Sequence, residues 1–258
     1  MNGVKGKSKK GQVTIFVIIA LVIIVLGVLV YFFVPGIRTT APGVSENPKI
    51  YLQNCVEDEL ASNVNLISSQ GGSIEPDSSV TYDGESVEYL CYTNEYYDPC
   101  VPQKAFLITH IEDEIKESIS DKVNDCFTQM ENDYKSKGYD VKLNRGGLQA
   151  TLVPDRILLT SNSRLEITKS STQTYESFDI VLDNNLFELA SIARSIIVWE
   201  KTYGDSDPVY FMSFYPDIKV EKKQLNDGIK VYIVTDRNTD DMFRFAVRGG
   251  VAPLGVPT

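Results

Sequence analysis

Residues 103–137 read QKAFLITHIEDEIKESISDKVNDCFTQMENDYKSK, and the predicted fold is organised around this stretch. Apolar residues recur in it at steps of three or four, the spacing that lines one face of an α-helix. They are Ile108, Ile111, Ile115, Ile119, Val123, Cys126, Phe127, Met130 and Tyr134. We therefore predict a long amphipathic helix over 103–137 with one face in a protein core. The acidic residues between them indicate a solvated face.

After Gly138 the pattern changes to alternation with a period of two, which predicts half-buried β-strands. The predicted strands cover residues 139–143, 148–153, 157–160, 164–168 and 178–182. Because short turn sequences join successive strands, we predict an antiparallel meander sheet.

Further elements lie on both sides of this central region. Helices are predicted over 48–70, with Ile50, Cys55, Val56, Leu60, Val64 and Ile67 on its apolar face, and over 186–201. Strands are predicted over 80–82, 87–91, 217–223, 229–235 and 242–248, with hairpin turns at 83–84 and 226–228. Residues 249–258 are expected to form a flexible tail. The fold class is therefore α+β, with long amphipathic helices packed on the meander in one domain over 48–248.

An apolar run near the start predicts a membrane anchor. Residues 13–34 read VTIFVIIALVIIVLGVLVYFFV and carry no charge. As a helix they would extend about 33 Å, enough to cross a hydrocarbon core of about 30 Å. Four lysines precede the run and only Arg38 closely follows it, so residues 1–11 are expected in the cytoplasm. Residues 12–34 would then form the transmembrane helix, 35–47 a linker, and the remainder an ectodomain. Cleavage near 39–41, as in a secretory signal, is disfavoured by the length of the run.

The junction before this run, Lys9-Lys10-Gly11-Gln12, resembles the class III, type IV pilin-like signal of archaeal surface proteins. The resemblance implies processing by a membrane peptidase after Gly11, which would leave Gln12 as the first residue and retain the apolar run. Phe16 stands where many pilins carry glutamate. A proline and a glycine at 35–36 also interrupt the helix that pilins usually continue into the head domain. The alternative is a plain signal anchor that is not cleaved.

The ectodomain is also similar to an uncharacterised family of archaeal surface proteins. The similarity begins with the sequence Gly-Gln-Val-Thr-Ile-Phe at 11–16. It continues with a cysteine-bearing helix that ends in Gln-Gly-Gly at 70–72, a second cysteine-bearing helix, and the strands that follow. This resemblance implies no known activity.

The four cysteines are Cys55, Cys91, Cys100 and Cys126, and all lie in the predicted ectodomain. An even number of cysteines in an oxidising compartment predicts disulfides, and four allow three pairings. We favour Cys91–Cys100, which brackets a short loop, and this leaves Cys55–Cys126 to join two predicted helices. Zinc binding is the alternative. It is disfavoured because the chain has no Cys-x-x-Cys pair and a single histidine, His110.

The charge of the chain restricts its partners. The formal net charge is −10, and since four lysines lie within the first eleven residues, the remainder carries −14. Such an acidic surface repels phosphates, so no nucleic-acid partner is predicted. The expected partners are the lipid bilayer and either a protein on the cell surface or a second copy of the chain.

No sequence motif predicts catalysis, a cofactor or a metal. His110 is interpreted as structural or solvent-facing. Residues 236–241, DRNTDD, favour a hairpin loop over weak calcium binding because glycine and the terminal glutamate of a calcium loop are missing. Tyr92, Tyr96 and Tyr97 are interpreted either as a binding tip or as a cover for the short disulfide.

The function predicted from the sequence is that of a single-pass, membrane-anchored cell-surface protein. Its N-terminus would lie in the cytoplasm, its ectodomain would be structural or binding, and no enzymatic activity is expected. The alternative is a pilin-like subunit, processed by prepilin peptidase and assembled into a filament or a membrane complex.

Overall fold

The computed structural model describes residues 47–250. The predicted membrane helix, the processing site at Gly11 and Gln12, and residues 251–258 lie outside that range. Between residues 47 and 250, none of the helices combines the length and the apolar character that crossing a bilayer requires. The described part of the chain is an α+β domain, as predicted.

Four α-helices lie in the described range. They are α1 (Pro48–Gln70), α2 (Leu107–Ser136), α3 (Leu186–Tyr203) and α4 (Pro208–Phe214). The bounds predicted for α1 are confirmed, and both ends have a physical cause. The Asn47 side chain accepts a hydrogen bond from the Lys49 N–H at 2.9 Å, and Gly71 ends the helix with a left-handed φ of 94°.

Twelve strands accompany these helices in the described range. They are β1 (Ser79–Tyr82), β2 (Glu85–Tyr92), β3 (Val101–Pro102), β4 (Asp140–Asn144), β5 (Leu148–Val153), β6 (Arg156–Ser161), β7 (Arg164–Thr168), β8 (Thr172–Tyr175), β9 (Phe178–Asp183), β10 (Ile218–Gln224), β11 (Ile229–Asp236) and β12 (Met242–Arg248). β3, β8 and α4 were not predicted from the sequence. The first two are short and mostly exposed, and α4 spans only seven residues, so none shows a full apolar period.

The predicted meander is wrong, although its strands exist. β4 pairs with β7 rather than with β5, in a sheet of order β4-β7-β8. β5 and β6 form a hairpin that continues to β9 in a second sheet. Alternation reports that one face of a strand is buried, but it does not identify the partner strand.

The largest sheet is mixed and joins the two ends of the domain. Its order is β1-β2-β12-β11-β10, with β3 paired to β2. The hairpins β1–β2 and β10–β11 match the predicted turns. β2 and β12 run parallel, with Tyr89 opposite Ala246. This pairing joins the early strands β1, β2 and β3 to the last three strands of the domain in one sheet.

One large apolar core lies between helices and sheets. α1 packs on α2, β9 and β12, α2 also packs on β5, and α3 packs on β11 and β12. The face predicted for α1 needs one correction. Ile50 is 50% exposed, whereas Leu52 is fully buried and continues the four-residue spacing of Val56, Leu60 and Val64. The predicted face of α2 is also displaced at its start, where Leu107 is buried and Ile108 only partly so.

Both predicted disulfide pairings are confirmed. Cys55 of α1 bonds to Cys126 of α2, with Cα atoms 6.0 Å apart, and this bond ties the two long helices together. Cys91 of β2 bonds to Cys100 just before β3, with Cα atoms 5.3 Å apart.

The first two residues of the expected flexible tail are held by the fold. A Cβ added to Gly249 would lie 2.8 Å from both the Cβ and the backbone nitrogen of Cys100, so only glycine fits there. The Gly250 N–H donates to the Asp98 carbonyl at 2.7 Å. The tail prediction therefore applies only from residue 251 onwards, outside the described range.

The two disulfides should contribute unequally to stability. Cys55 and Cys126 are 71 positions apart and Cys91 and Cys100 only nine. By the chain-entropy relation, these loops correspond to roughly 4 and roughly 3 kcal/mol. Replacing both cysteines of the long-range pair by alanine should therefore lower the free energy of unfolding by about 1–2 kcal/mol more than the same change in the short-range pair. Urea denaturation of the two double variants measures this difference, and an equal loss would contradict it.

Candidate binding surface

Four aromatic side chains on α3 and α4 form a continuous row at the surface. In spatial order they are Tyr203, Trp199, Tyr210 and Phe214, and we call them the aromatic row. The ring centroids of Trp199 lie 5.3 Å from Tyr203 and 4.6 Å from Tyr210, and Tyr210 lies 4.9 Å from Phe214. Each ring therefore contacts the next one, and the row is a single apolar feature.

Most of this row is in contact with solvent. Tyr203 is 71% exposed, Phe214 65% and Tyr210 42%, and the neighbouring Val209 is 65% exposed. Soluble domains rarely expose contiguous large apolar groups, and those that do commonly use them to bind another molecule. Tyrosine and tryptophan are also enriched among the residues that dominate binding energy at interfaces. These properties identify the row as the strongest candidate binding surface in residues 47–250.

The local sequence explains how the row forms. Trp199 and Tyr203 are four positions apart, so they lie on one face of α3. Gly204 ends α3 with a left-handed φ of 75°. Asp207 then accepts a hydrogen bond from the Val209 N–H at 2.9 Å and starts α4. The resulting turn brings α4 back against α3.

One buried ring fixes the contact between the two helices. Phe211 of α4 is only 3% exposed, and its ring centroid lies 6.2 Å from that of Trp199. Tyr210 packs edge-on against Phe211 at 5.5 Å. Burial of Phe211 therefore leaves the neighbouring ring of Tyr210 facing outwards.

A buried ion pair holds the end of α3 on β11. The Lys230 ammonium donates to the Glu200 carboxylate at 2.7 Å and to the Gly204 carbonyl at 2.7 Å. The Tyr232 hydroxyl donates to the same carboxylate. Burial raises the pKa of Tyr232 well above its ordinary value, and the adjacent negative charge of Glu200 adds to this effect. The phenol therefore stays protonated and serves as a hydrogen-bond donor.

The loop between α3 and α4 is also fixed by charge. Lys222 donates to the Asp205 carboxylate at 2.9 Å and to the Ser206 carbonyl at 3.0 Å. Burial acts to raise the pKa of Asp205, but the hydrogen bonds from Lys222 and Lys230 outweigh it and hold that pKa below its ordinary value. The base of the aromatic row is thus attached to β10 and β11 at several points.

A cleft of about 400 Å³ adjoins the Phe214 end of the row. Its walls include Phe187, Ile192 and Pro216, and acidic side chains such as Asp217 line it as well. One buried oxygen of Glu188 has no hydrogen-bond partner. Among residues 47–250, no three histidine, cysteine or acidic side chains are close enough together to hold a metal ion.

The structure brings Ser73, Glu88 and His110 together, although nothing in their sequence spacing indicates a contact. The Ser73 hydroxyl oxygen lies 2.6 Å from a Glu88 carboxylate oxygen and 2.8 Å from His110 Nε2. The Lys104 ammonium lies 3.2 Å from the other Glu88 oxygen. The Ser73 hydroxyl donates its single proton to Glu88, which leaves its oxygen as an acceptor toward His110.

This arrangement does not match a nucleophile and its base. A general base must accept the proton of the attacking hydroxyl, whereas the Ser73 proton is donated to Glu88 and not to His110. Ser73 is also only 2% exposed, so a substrate has no path to it. The cluster satisfies buried polar groups between the end of α1, β2 and α2, in keeping with the structural role predicted for His110.

The loop at 236–241 is the hairpin connection between β11 and β12. Asp236 accepts from the Asn238 N–H at 2.7 Å and from the Asn185 side chain. Asp241 accepts from the Asn184 side chain at 2.8 Å and the Asn185 N–H at 3.0 Å. Both carboxylates are therefore occupied by protein donors, as the predicted hairpin requires.

The predicted aromatic loop differs from the aromatic row. Tyr96 and Tyr97 are 47% and 62% exposed, while both cysteines of the nearby disulfide are buried. These tyrosines were candidates from the sequence, whereas the row on α3 and α4 was not predicted. The i, i+4 spacing of Trp199 and Tyr203 opposite the buried face of a predicted helix was the signal that could have revealed it.

Removing the buried lysine should be far more costly than removing an exposed one. In Lys230→Met, the fully buried carboxylate of Glu200 loses its counter-charge, which should destabilise the domain by about 3–5 kcal/mol. The matched control is Lys219→Met, whose partner Glu221 is at the surface, with an expected loss of about 1 kcal/mol or less. Urea denaturation at neutral pH compares them. Similar losses would show that the buried pair does not hold α3 in place.

No family model matches this chain, and neither the curated proteins nor the solved structures contain a match to it.

Proposed function

We propose that this protein is a single-pass membrane protein that displays residues 47–250 outside the cell and binds a protein through the aromatic row. Residues 12–34 would form the membrane helix and residues 1–11 the cytoplasmic segment. The single observation that carries the binding role is the row of contacting, exposed rings from Tyr203 to Phe214. The membrane location is supported by the length of the uncharged run and by the lysines before it.

The state of the cysteines supports an extracytoplasmic location. All four cysteines of the chain are paired in disulfides. Disulfides persist in oxidising compartments and are reduced in most cytosols. A domain whose two longest helices are joined through Cys55 and Cys126 is therefore suited to the outer face of a membrane.

The chemistry of the row indicates an apolar partner. The four rings carry no charge, and buried aromatic rings remove about 150–250 Å² each from water. Covering the exposed parts of three such rings would supply several kcal/mol at about 25 cal/mol per Å². A partner segment with small or ring-shaped apolar side chains would fit this surface better than a charged one.

Site-specific photo-crosslinking on intact cells tests both halves of the proposal. A photoreactive residue at Tyr210 should form an adduct with a protein, whereas one at Ile50, an exposed apolar position on α1, should not. A membrane-impermeant biotin reagent, applied before lysis, should label the adduct because the domain is outside. Absence of biotin would refute the location, and absence of the Tyr210-specific adduct would refute the binding role.

The second candidate is a pilin-like subunit, and the junction Lys9-Lys10-Gly11-Gln12 is the observation that favours it. In this case a peptidase would cut after Gly11, and residues 12–34 would pack with those of neighbouring subunits. Against it stand Phe16 and the proline and glycine at 35–36.

Mass spectrometry of the membrane-purified protein separates a processed chain from a plain anchor. Processing predicts a mature N-terminus at Gln12, and Gly11→Val should abolish it because the added side chain prevents entry into a tight protease cleft. An intact N-terminus before residue 11 in the unaltered protein would exclude the pilin-like route. Gly6→Val, outside the junction, is the matched control and should leave processing unchanged.

A further inference from the structure

We propose that β8 is a docking edge for a protein partner. An extended segment of that partner adds beside β8 as a fourth strand of the sheet β4-β7-β8, and an acidic side chain of the segment binds Lys137 and Lys169. This surface shares no residue with the aromatic row. The inference therefore goes beyond the proposed function and does not depend on it.

Three edge strands of the domain are protected by side chains. A strand at a sheet edge presents unpaired N–H and C=O groups, to which another chain can add. At the edge of β9, the Gln53 side chain of α1 donates to the Val181 carbonyl at 2.8 Å and accepts from the Val181 N–H at 2.9 Å. At the edge of β5, Glu112 of α2 accepts from the Leu152 N–H at 2.9 Å. β10 carries lysines, a common protection of sheet edges, at positions 219, 222 and 223.

The edge of β8 has no such protection. β8 pairs with β7 on one side only, and its sequence, Thr-Gln-Thr-Tyr at 172–175, contains neither a charge nor a proline. Among residues 47–250, no side chain forms a hydrogen bond with the backbone of β8, and its own side chains bond to other side chains. β1 is equally short and uncharged, so an open edge alone does not identify a docking site. The cleft beside β8 makes the distinction.

A cleft of about 670 Å³ lies next to β8 and carries positive charge. It is lined by the end of α2 and by the turn between β7 and β8, including Lys137, Tyr139 and Lys169. The Lys169 ammonium is held in place, since it donates to the Lys137 carbonyl at 3.0 Å and lies 4.7 Å from the centroid of the Tyr139 ring. Neither lysine forms an ion pair in the described range, whereas the neighbouring Lys135 pairs with Glu131 at 2.6 Å. In a chain of net charge −10, two lysines without a counter-charge indicate that an anionic group binds here.

Strand pairing determines which side chain of an added strand reaches this cleft. Gln173 of β8 lies opposite Ile167 of β7, and Ile167 is buried, so both side chains are on the inner face of the sheet. Both also line the cleft. A residue of an added strand opposite Gln173 would share this face, with its Cβ about 5 Å from that of Gln173. An aspartate or glutamate at this position would therefore extend its carboxylate into the cleft.

The two features act together. In strand addition, backbone hydrogen bonds supply affinity and pockets for alternate side chains supply specificity. β8 has only four residues, so the backbone contributes few hydrogen bonds and the charged contact has to select the partner. The occupant that fits is an extended protein segment with one acidic side chain directed at the cleft.

Peptide binding to the full chain in phosphatidylcholine nanodiscs tests the proposal. The probe is a fluorescent seven-residue peptide of alternating threonine and valine with glutamate at its centre. A peptide with lysine at the centre should bind at least about tenfold more weakly, because like charges are then brought together. The double variant Lys137→Gln, Lys169→Gln should bind the glutamate peptide roughly fivefold more weakly than the unaltered chain. The matched control is Lys135→Gln, a neighbouring lysine outside the cleft, which should leave the affinity unchanged.

Amide hydrogen exchange shows whether the peptide adds as a strand. The glutamate peptide should slow exchange in β8, because outward-facing N–H groups gain acceptors, and should leave β10 unchanged as the internal control. The same peptide with a fully N-methylated backbone keeps its carboxylate but cannot donate backbone hydrogen bonds. It should therefore bind more weakly and should not slow exchange in β8.

Four outcomes would overturn the proposal. No binding of the glutamate peptide at about 10 mM would show that the edge accepts no strand of this kind. Equal affinity for the glutamate and lysine peptides would remove the role of the cleft. Unchanged exchange in β8, or equal binding of the N-methylated peptide, would exclude strand addition. Protection of β8 without peptide that increases with protein concentration would assign the edge to a second copy of the chain. None of these results bears on crosslinking at Tyr210, which tests a different surface.

Discussion

The parallel pairing of β2 with β12 is the constraint on which the domain depends. Tyr89 and Ala246 are 157 positions apart, and their pairing joins the first hairpin of the domain to its last three strands. Closing a loop of that length costs roughly 4–5 kcal/mol of chain entropy. The cost is offset by burial, since six consecutive residues of β12, from Phe243 to Arg248, are buried. α1 and α3 both pack on this strand, so the positions of the helices follow from it.

The position of the aromatic row is a consequence of how α3 is attached to this sheet. Its apolar face is filled by contacts with β11 and β12, and its end is held by the ion pair between Glu200 and Lys230. The opposite face cannot turn inwards without breaking this pair. Trp199 and Tyr203 are therefore presented to solvent by a helix held at its end, which would lower the entropic cost of the proposed binding at the row.

Two buried arginines elsewhere in the domain donate to protein acceptors. Arg244 donates to the Ser69 carbonyl at 3.0 Å and to the Glu85 carboxylate, and Arg248 donates to Asp227 at 3.1 Å. The two guanidinium groups also lie over tyrosine rings on the outer face of the sheet, where they cover apolar surface. The Ser73 cluster has the same character. These networks connect distant parts of the described domain through buried polar contacts.

Local patterns in the sequence determined most of the elements of this domain. Periodicity placed α1, α3 and most strands to within a few residues, and the spacing of the cysteines led to the correct disulfide pairs. These properties depend on neighbours in the chain, so they can be read from it directly. The apolar run at 13–34 and the junction at Gly11 likewise carry the predictions of anchoring and processing.

Only the tertiary structure decided which elements meet. Alternation identified β4 and β5 as strands but could not show that β4 pairs with β7, because a strand's burial pattern is the same beside any partner. In the same way, no local pattern places Gly250 against Gly204 or Ser73 against His110, since these contacts depend on the path of the whole chain. The aromatic row depends partly on local sequence patterns and partly on the tertiary structure. Its α3 half is visible as a helical spacing, whereas its continuity with Tyr210 and Phe214 exists because Gly204 turns the chain and the burial of Phe211 folds α4 back onto α3.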